Sequence, residues 1–125
     1  MEAIPFRVLI VDDDEDMRFL SASYIRLAND GLEVAGSASS GQEGLDLWRE
    51  ESPDAIVLDY RMPGRDGLDI AEEILREDPD HPVILFSAYL DVATVARAAE
   101  LGIRSCLSKD RFRELPGLLQ GCRPA

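Results

Sequence analysis

Apolar residues follow two rhythms along this chain. Short runs at FRVLIV (Phe6 to Val11), EVAGS (Glu33 to Ser37), AIVLD (Ala55 to Asp59), VILFS (Val83 to Ser87) and RSCLS (Arg104 to Ser108) have the length and residue types of β-strands. Between them the spacing opens to the three and four residues of a helix. Met17, Leu20, Tyr24 and Leu27 define one predicted face, Leu68, Ala71, Ile74 and Leu75 a second, and Val92, Val95, Ala96 and Ala99 a third. Gly44, Leu45 and Trp48 mark a shorter helix. The boundaries carry their own chemistry: SGQE (Ser40 to Glu43) has the Ser-x-x-Glu form of a capping box, and Asp91 stands where it can cap the helix after it. MPGRDG (Met62 to Gly67) and DPDHP (Asp78 to Pro82) have turn composition.

Five strands alternating with helices predict an α/β domain with a mostly parallel sheet, because helical crossovers return the chain in the same direction and cover both faces. FRVLIV, AIVL and VILF have the continuous apolar character of central strands, whereas EVAGS and RSCLS are polar enough for edges. Phe112, Leu115, Leu118 and Leu119 are helix-spaced but interrupted by Pro116 and Gly117, which predicts a short or displaced last helix. Trp48 and Phe86 read as core, and His81, between Asp80 and Pro82, as an exposed loop residue.

Length and composition narrow the setting. The 125 residues, 46% apolar, suffice for one core, so residues 1–125 are expected to form a single domain. A net charge of −12 from 25 acids and 13 bases argues against nucleic acid or anionic membranes as partners of this chain. MEAIPFR lacks a signal-like pattern, and no apolar stretch approaches the roughly 20 residues of a membrane span, so a soluble cytoplasmic protein is expected. Cys106 and Cys122 form no CxxC and have no ligand-like spacing to His81, which speaks against a disulfide framework or zinc site.

In an open parallel sheet, ligands gather at the carboxyl ends of the strands. The first predicted strand ends at Asp12 and Asp13, the third at Asp59, the fourth at Ser87 and the fifth at Lys109. Crowded carboxylates repel unless a proton or cation intervenes; a hard divalent ion is the simplest answer, and Mg²⁺ keeps several of its waters. One carboxylate can then attack a phosphoryl group while an ammonium and a hydroxyl serve its oxygens. Asp59 is the best candidate, since the loop YRMPGRDG after it can bend sharply and leave room. Asp14, Glu15 and Asp16 read instead as the dipole-favouring start of the first helix.

The acid pair in VDDDE, the segment LDYRMPGRDG, FSA after the fourth strand and GIRSCLSKD after the fifth together resemble the receiver domain of two-component response regulators along the whole chain. The resemblance implies a flavodoxin-like (βα)5 three-layer sandwich with strand order 2-1-3-4-5. It implies that Asp59 accepts a phosphoryl group from a histidine kinase or histidine phosphotransfer protein, with the chain catalysing only its own phosphorylation and dephosphorylation. Asp13 would hold Mg²⁺ directly, Asp12 largely through water, and Asp59 and the Arg61 carbonyl would complete the protein ligands. Ser87 would bond a phosphoryl oxygen and Lys109 would pair with the phosphoryl group. The output would be an altered binding surface on the fourth helix, fifth strand and fifth helix, used by a downstream partner or a homodimer.

Several positions depart from or vary within that pattern. Cys106 replaces the aromatic residue that usually turns inward on phosphorylation, and Asp110 replaces the usual proline after the lysine. Arg61 and Tyr89 occupy positions where side chains tune the lifetime of a phosphoaspartate. Two other readings remain open. A haloacid-dehalogenase-like phosphatase would use Asp12 as nucleophile within the pair Asp12 and Asp14, although Asp16 stands where Thr or Val is wanted and the later acidic pair is absent. A pseudo-receiver would act as a binding module without phosphorylation.

Overall fold

The computed structural model describes residues 4–124, so Met1–Ala3 and Ala125 of the expected 1–125 domain lie outside the described residues. The elements run β1 (Phe6–Val11), α1 (Glu15–Ala28), β2 (Leu32–Ala38), α2 (Gly41–Glu51), β3 (Ala55–Leu58), α3 (Gly67–Glu77), β4 (Val83–Ser87), α4 (Val92–Leu101), β5 (Ser105–Ser108), a 3₁₀ segment (Lys109–Glu114) and α5 (Leu115–Gly121). All five strands pair in parallel in the order β2-β1-β3-β4-β5, as expected, with the two polar runs at the edges. The last helix is short and displaced behind the 3₁₀ segment, with Pro116 tolerated in its first turn.

Alternation along the central strands sends successive side chains to opposite faces, and each face builds its own core. Leu9, Val11, Ile56, Leu58 and Leu85 pack against Leu45, Ile70, Ala71, Ile74 and Ala98 from α2, α3 and α4. Val8, Ile10, Val57, Ile84 and Phe86 pack against Ala22, Ile25, Leu115 and Leu119 from α1 and α5. Since β1 has β2 on one side and β3 on the other, the order reverses at β1, and the carboxyl ends of β1 and β3 open onto the crevice where that happens.

Capping follows the sequence with one change. Ser40 accepts from the Glu43 N–H at 3.2 Å, but the Glu43 carboxylate reaches the Ser39 hydroxyl rather than closing a box on Ser40. A reciprocal box occurs at α3, where Asp66 and Asp69 each accept from the other's N–H. Asp91 caps α4 through Thr94 N–H at 2.7 Å, and Asp14 caps α1 through Asp16 N–H at 2.9 Å.

Two helices turn a different face to the sheet than their apolar spacing predicted. In α1 the buried residues are Ser21, Ala22 and Ile25, while Leu27 is exposed; the small pair lets the helix approach the sheet closely. In α4 the buried residues are Thr94 and Ala98, with Leu101 partly buried one turn further on, so Val92, Val95, Ala96 and Ala99 face outward. An Ala- and Val-rich helix offers more than one apolar stripe, and the stripe that fits against α3 and the sheet is the one buried.

His81 is also a correction, being buried rather than exposed. Its Nε2 accepts from the Trp48 indole N–H at 3.1 Å, the rings meet edge to face, and Nδ1 lies 3.5 Å from Asp78 Oδ2. Trp48 itself is only partly buried against the core, whereas Phe86 is fully buried. Burial holds the imidazole pKa below its ordinary value, against the pull of Asp78 in the other direction. A lowered folded pKa means that the unfolded chain takes up the proton first, so the neutral ring's contribution is complete above about pH 6.5 and is lost as pH falls below it. Between pH 7.5 and 5.5, His81→Gln, which retains an acceptor for Trp48, should therefore lose less melting temperature than the wild type; equal losses would show that His81 does not titrate in the fold.

Candidate functional site

At the end of β1 the chain passes from Val11 to Asp12, whose N–H still bonds the Ala38 carbonyl at 3.0 Å. Asp12 is buried, Asp13 is exposed, and Asp59, just past β3, is only 5% exposed. One carboxylate oxygen from each of Asp12, Asp13 and Asp59 lies within 4.8 Å of the others. Lys109, the first residue after β5, reaches across from the far side of the sheet. Its ammonium sits 2.7 Å from Asp12 Oδ2 and 3.2 Å from Asp59 Oδ1. Of the four strand ends expected to converge, three, those of β1, β3 and β5, thus bring Asp12, Asp13, Asp59 and Lys109 into one pocket.

The electrostatics follow from that crowding. Burial, then the Asp12 carboxylate, push the Asp59 carboxyl up to about 7, and the Lys109 ammonium only partly offsets them. Burial disfavours the charge on Lys109, yet the Asp12 and Asp59 carboxylates outweigh it and hold the ammonium pKa above its ordinary value. Three acids against one ammonium leave the pocket short of positive charge. An all-oxygen donor set of this kind fits a hard divalent cation, and a nearly neutral-range carboxyl is the state expected where a cation's charge is wanted.

Asp12 is held at both carboxylate oxygens, since Oδ1 accepts from the Asp14 N–H at 2.9 Å and Oδ2 meets Lys109. Asp13 is the exposed acid of the set. Ser87 is brought to the same edge and buried, but its hydroxyl donates to the Tyr89 carbonyl at 3.0 Å and accepts from the Tyr89 N–H at 3.3 Å. Arg61 and Tyr89 are exposed, with the Arg61 guanidinium 5.3 Å over the Tyr60 ring. Cys106, on β5 opposite Leu85, is partly exposed, and burial raises its thiol pKa.

Two features of the site had no sequence signal strong enough to single them out. Gly67 lies so close to the chain just past β3 that a Cβ there would drive into the Asp59 carbonyl oxygen and sit 2.9 Å from its carbon. Arg18, on α1, donates through Nη1 to the Asp12 carbonyl at 2.8 Å. Its only trace in the sequence is a base closing an acidic run.

The parallel sheet of order 2-1-3-4-5 with an acidic pocket at its reversal point defines a flavodoxin-like domain whose pocket suits a hard cation. The chain belongs to the response regulator receiver domain family, whose model matches residues 8–119. It is 38% identical over 103 residues to the chemotaxis protein CheY of Thermotoga maritima, covering 82% of this chain and 84% of that protein. With the transcriptional regulatory protein LiaR of Bacillus subtilis the identity is 39% over 82% of this chain, which spans only 48% of the relative's length. The receiver domain of NarL from Mycobacterium tuberculosis superposes with a TM-score of 0.88 at 30% identity, covering 98% of this chain and 100% of that one. A CheY from Borrelia burgdorferi, solved as a CheX-CheY-BeF3-Mg²⁺ complex, superposes at 0.82 with 26% identity over 97% of this chain and 92% of its own.

The phosphatase and pseudo-receiver readings are not favoured. Asp14, which the phosphatase reading needs beside Asp12, is exposed and occupied as the α1 cap, and the acid pocket a pseudo-receiver would have no use for is intact. Some relatives are enzymes over a longer chain, such as a protein-glutamate methylesterase/protein-glutamine glutaminase of Dechloromonas aromatica, of which this chain matches 31%. The matched region here is the receiver. No helix among the described residues is long and apolar enough to cross a membrane.

Proposed function

We propose that the chain acts as one receiver domain over residues 1–125, with Asp59 as the residue that takes the phosphoryl group. The observation that carries this is the Lys109 ammonium shared between Asp12 and Asp59 beside a third carboxylate. An Asp59 oxygen attacks the phosphorus of a phosphohistidine on a histidine kinase or phosphotransfer protein. The P–N bond breaks, its electron pair leaves with the imidazole, and an acyl phosphate forms on Asp59. Lys109 then pairs with the phosphoryl oxygens, and the Ser87 hydroxyl donates to one of them. Mg²⁺ would be held by Asp13, Asp59 and the Arg61 carbonyl, with Asp12, whose two carboxylate oxygens are already engaged, acting largely through water. When bound, the ion supplies the positive charge that the acids and the phosphoryl oxygens lack.

Intact-mass spectrometry after incubation with a small acyl phosphate tests the reading. One phosphoryl mass is expected with Mg²⁺ and none after chelation; an unlabelled protein in Mg²⁺ would overturn it.

The output is a changed binding surface, and the structure of the β4–α4 turn supports a route. With Cys106 in place of an aromatic ring, the moving part is the Ser87 hydroxyl, which must give up its donated bond to the Tyr89 carbonyl to donate to the phosphoryl group. That frees the turn leading into α4, whose outer side exposes Val92 and Val95 beside Tyr89. We assign the α4, β5 and α5 face to a partner or a second copy of this chain. Gel filtration with and without a beryllofluoride mimic checks the homodimer, which an unchanged elution volume excludes. Arg61 and Tyr89 tune the lifetime of the acyl phosphate by screening it from water, so replacing both with alanine should speed its hydrolysis in a phosphoryl-decay assay; an unchanged rate removes them from that role.

A further inference from the structure

We propose that Arg18 is a positioning residue for the metal-binding acids, an inference that rests on the Mg²⁺ reading of the pocket given above. Beyond the last paired residue of β1, the backbone must turn so that the buried Asp12 and the exposed Asp13 both bring a carboxylate to the pocket. The Arg18 Nη1 bond to the Asp12 carbonyl, 2.8 Å long and partly buried, acts on that turn. The Asp12 carbonyl and the Asp13 nitrogen belong to one rigid peptide plane, so a bond holding the oxygen also fixes where the Asp13 side chain begins. The remaining handles on Asp12 are its N–H to Ala38, its Oδ1 to the Asp14 N–H, and its Oδ2 to Lys109. None of these acts on the Asp12–Asp13 peptide. Asp13, the exposed acid, depends on Arg18 for its backbone direction.

The guanidinium also brings a positive charge to the Asp12 backbone, and the two effects predict opposite results. Among the described residues the ion pairs of the site are made by Lys109, and Arg18 takes part in none. If Arg18 mattered only as a charge, its removal would leave the pocket more negative, and a cation would bind more tightly. If it positions Asp13, removal loosens a ligand and a cation binds more weakly. Loss of a group that orients a metal ligand typically weakens affinity about ten- to a hundredfold.

Calorimetric titration with Mg²⁺ alone separates these outcomes. Arg18→Met, close in length but uncharged, is expected to bind Mg²⁺ about tenfold more weakly than wild type. Arg26→Met, which removes an exposed base from the last turn of the same helix, should bind as wild type does. Arg18→Met with unchanged or tighter binding overturns the inference while leaving the Mg²⁺ site standing. Wild-type protein that binds no Mg²⁺ overturns both. Should Arg18→Met fail to fold by circular dichroism, Arg18→Lys carries the test, since it keeps the charge. Positioning predicts weaker binding for it, and wild-type affinity would sink the proposal. As a second readout, phosphoryl labelling of the weakened variant should recover at saturating Mg²⁺; labelling that stays low there rules out a role exerted through metal affinity.

Discussion

Asp59→Asn should take up no phosphoryl group and, without divalent ions, should melt at a higher temperature than the wild type. The first result follows from the loss of the nucleophile, because an amide oxygen does not form a stable acyl phosphate. The second follows from the burial of Asp59 beside Asp12, which lifts its carboxyl to about 7 in the fold from an ordinary 3.8. The sign follows from linkage. For a raised pKa, the full contribution is present below the unfolded value near 4 and is lost as pH rises toward 7. Above pH 7 the wild type has forfeited up to about 4 kcal/mol on this account, whereas asparagine carries no charge to desolvate. Thermal melts at pH 8 in chelator should place the variant several degrees higher, with the gap narrowing as pH falls to 5. Mg²⁺ should raise the wild type more than the variant. A variant that melts at or below the wild type at pH 8 would show that Asp59 is not strained by its neighbours.

Gly67→Ala should damage both stability and chemistry. A methyl group there meets the Asp59 carbonyl and comes within 3.0 Å of the Tyr60 Cα, and backbone atoms cannot step aside as a flexible side chain can. Gly67 N–H also bonds the Tyr60 carbonyl at 2.7 Å, so the turn is pinned at that contact. Overpacking of this kind costs about 1–3 kcal/mol, and because the displaced backbone is that of the acceptor, labelling should slow roughly tenfold or more. Gly117→Ala is the contrasting case. Nothing lies within 4 Å of its added methyl, and in α5 the change should stabilise by about 0.5–1 kcal/mol. Melts and labelling rates of the two variants side by side check the contrast; a Gly67→Ala protein that labels at the wild-type rate would show that the close approach does not set the acceptor's position.

What could be read from the sequence was set by one-dimensional signals. Val8 to Val11, Ala55 to Leu58 and Val83 to Phe86 are buried on both faces, so their runs are continuous and their ends fall where the acids begin. That places Asp12, Asp13, Asp59 and Ser87 at one edge, and Lys109 joins them from the end of the more polar edge run RSCLS. The helix faces were harder. The α1 stripe uses Ser21 and Ala22, which carry little hydrophobic signal, and α4 is rich in small apolar residues on more than one side. His81 is buried by Trp48, a neighbour 33 residues earlier, which no local pattern of DPDHP conveys. The same holds for Arg18 and for the bond that the Ser87 hydroxyl donates. Their partners are main-chain carbonyls, and a carbonyl is present at every position of every sequence.

The shallow seating of α4 sets how it can respond. Helix α3 sinks Leu68, Ile70, Ala71, Ile74 and Leu75 into the core, whereas α4 commits only Thr94 and Ala98 fully. Sliding or tilting α4 therefore uncovers little apolar area, and most of its larger apolar side chains are already wet. Compared with α3 on the same face, α4 can therefore shift at a smaller cost in apolar burial.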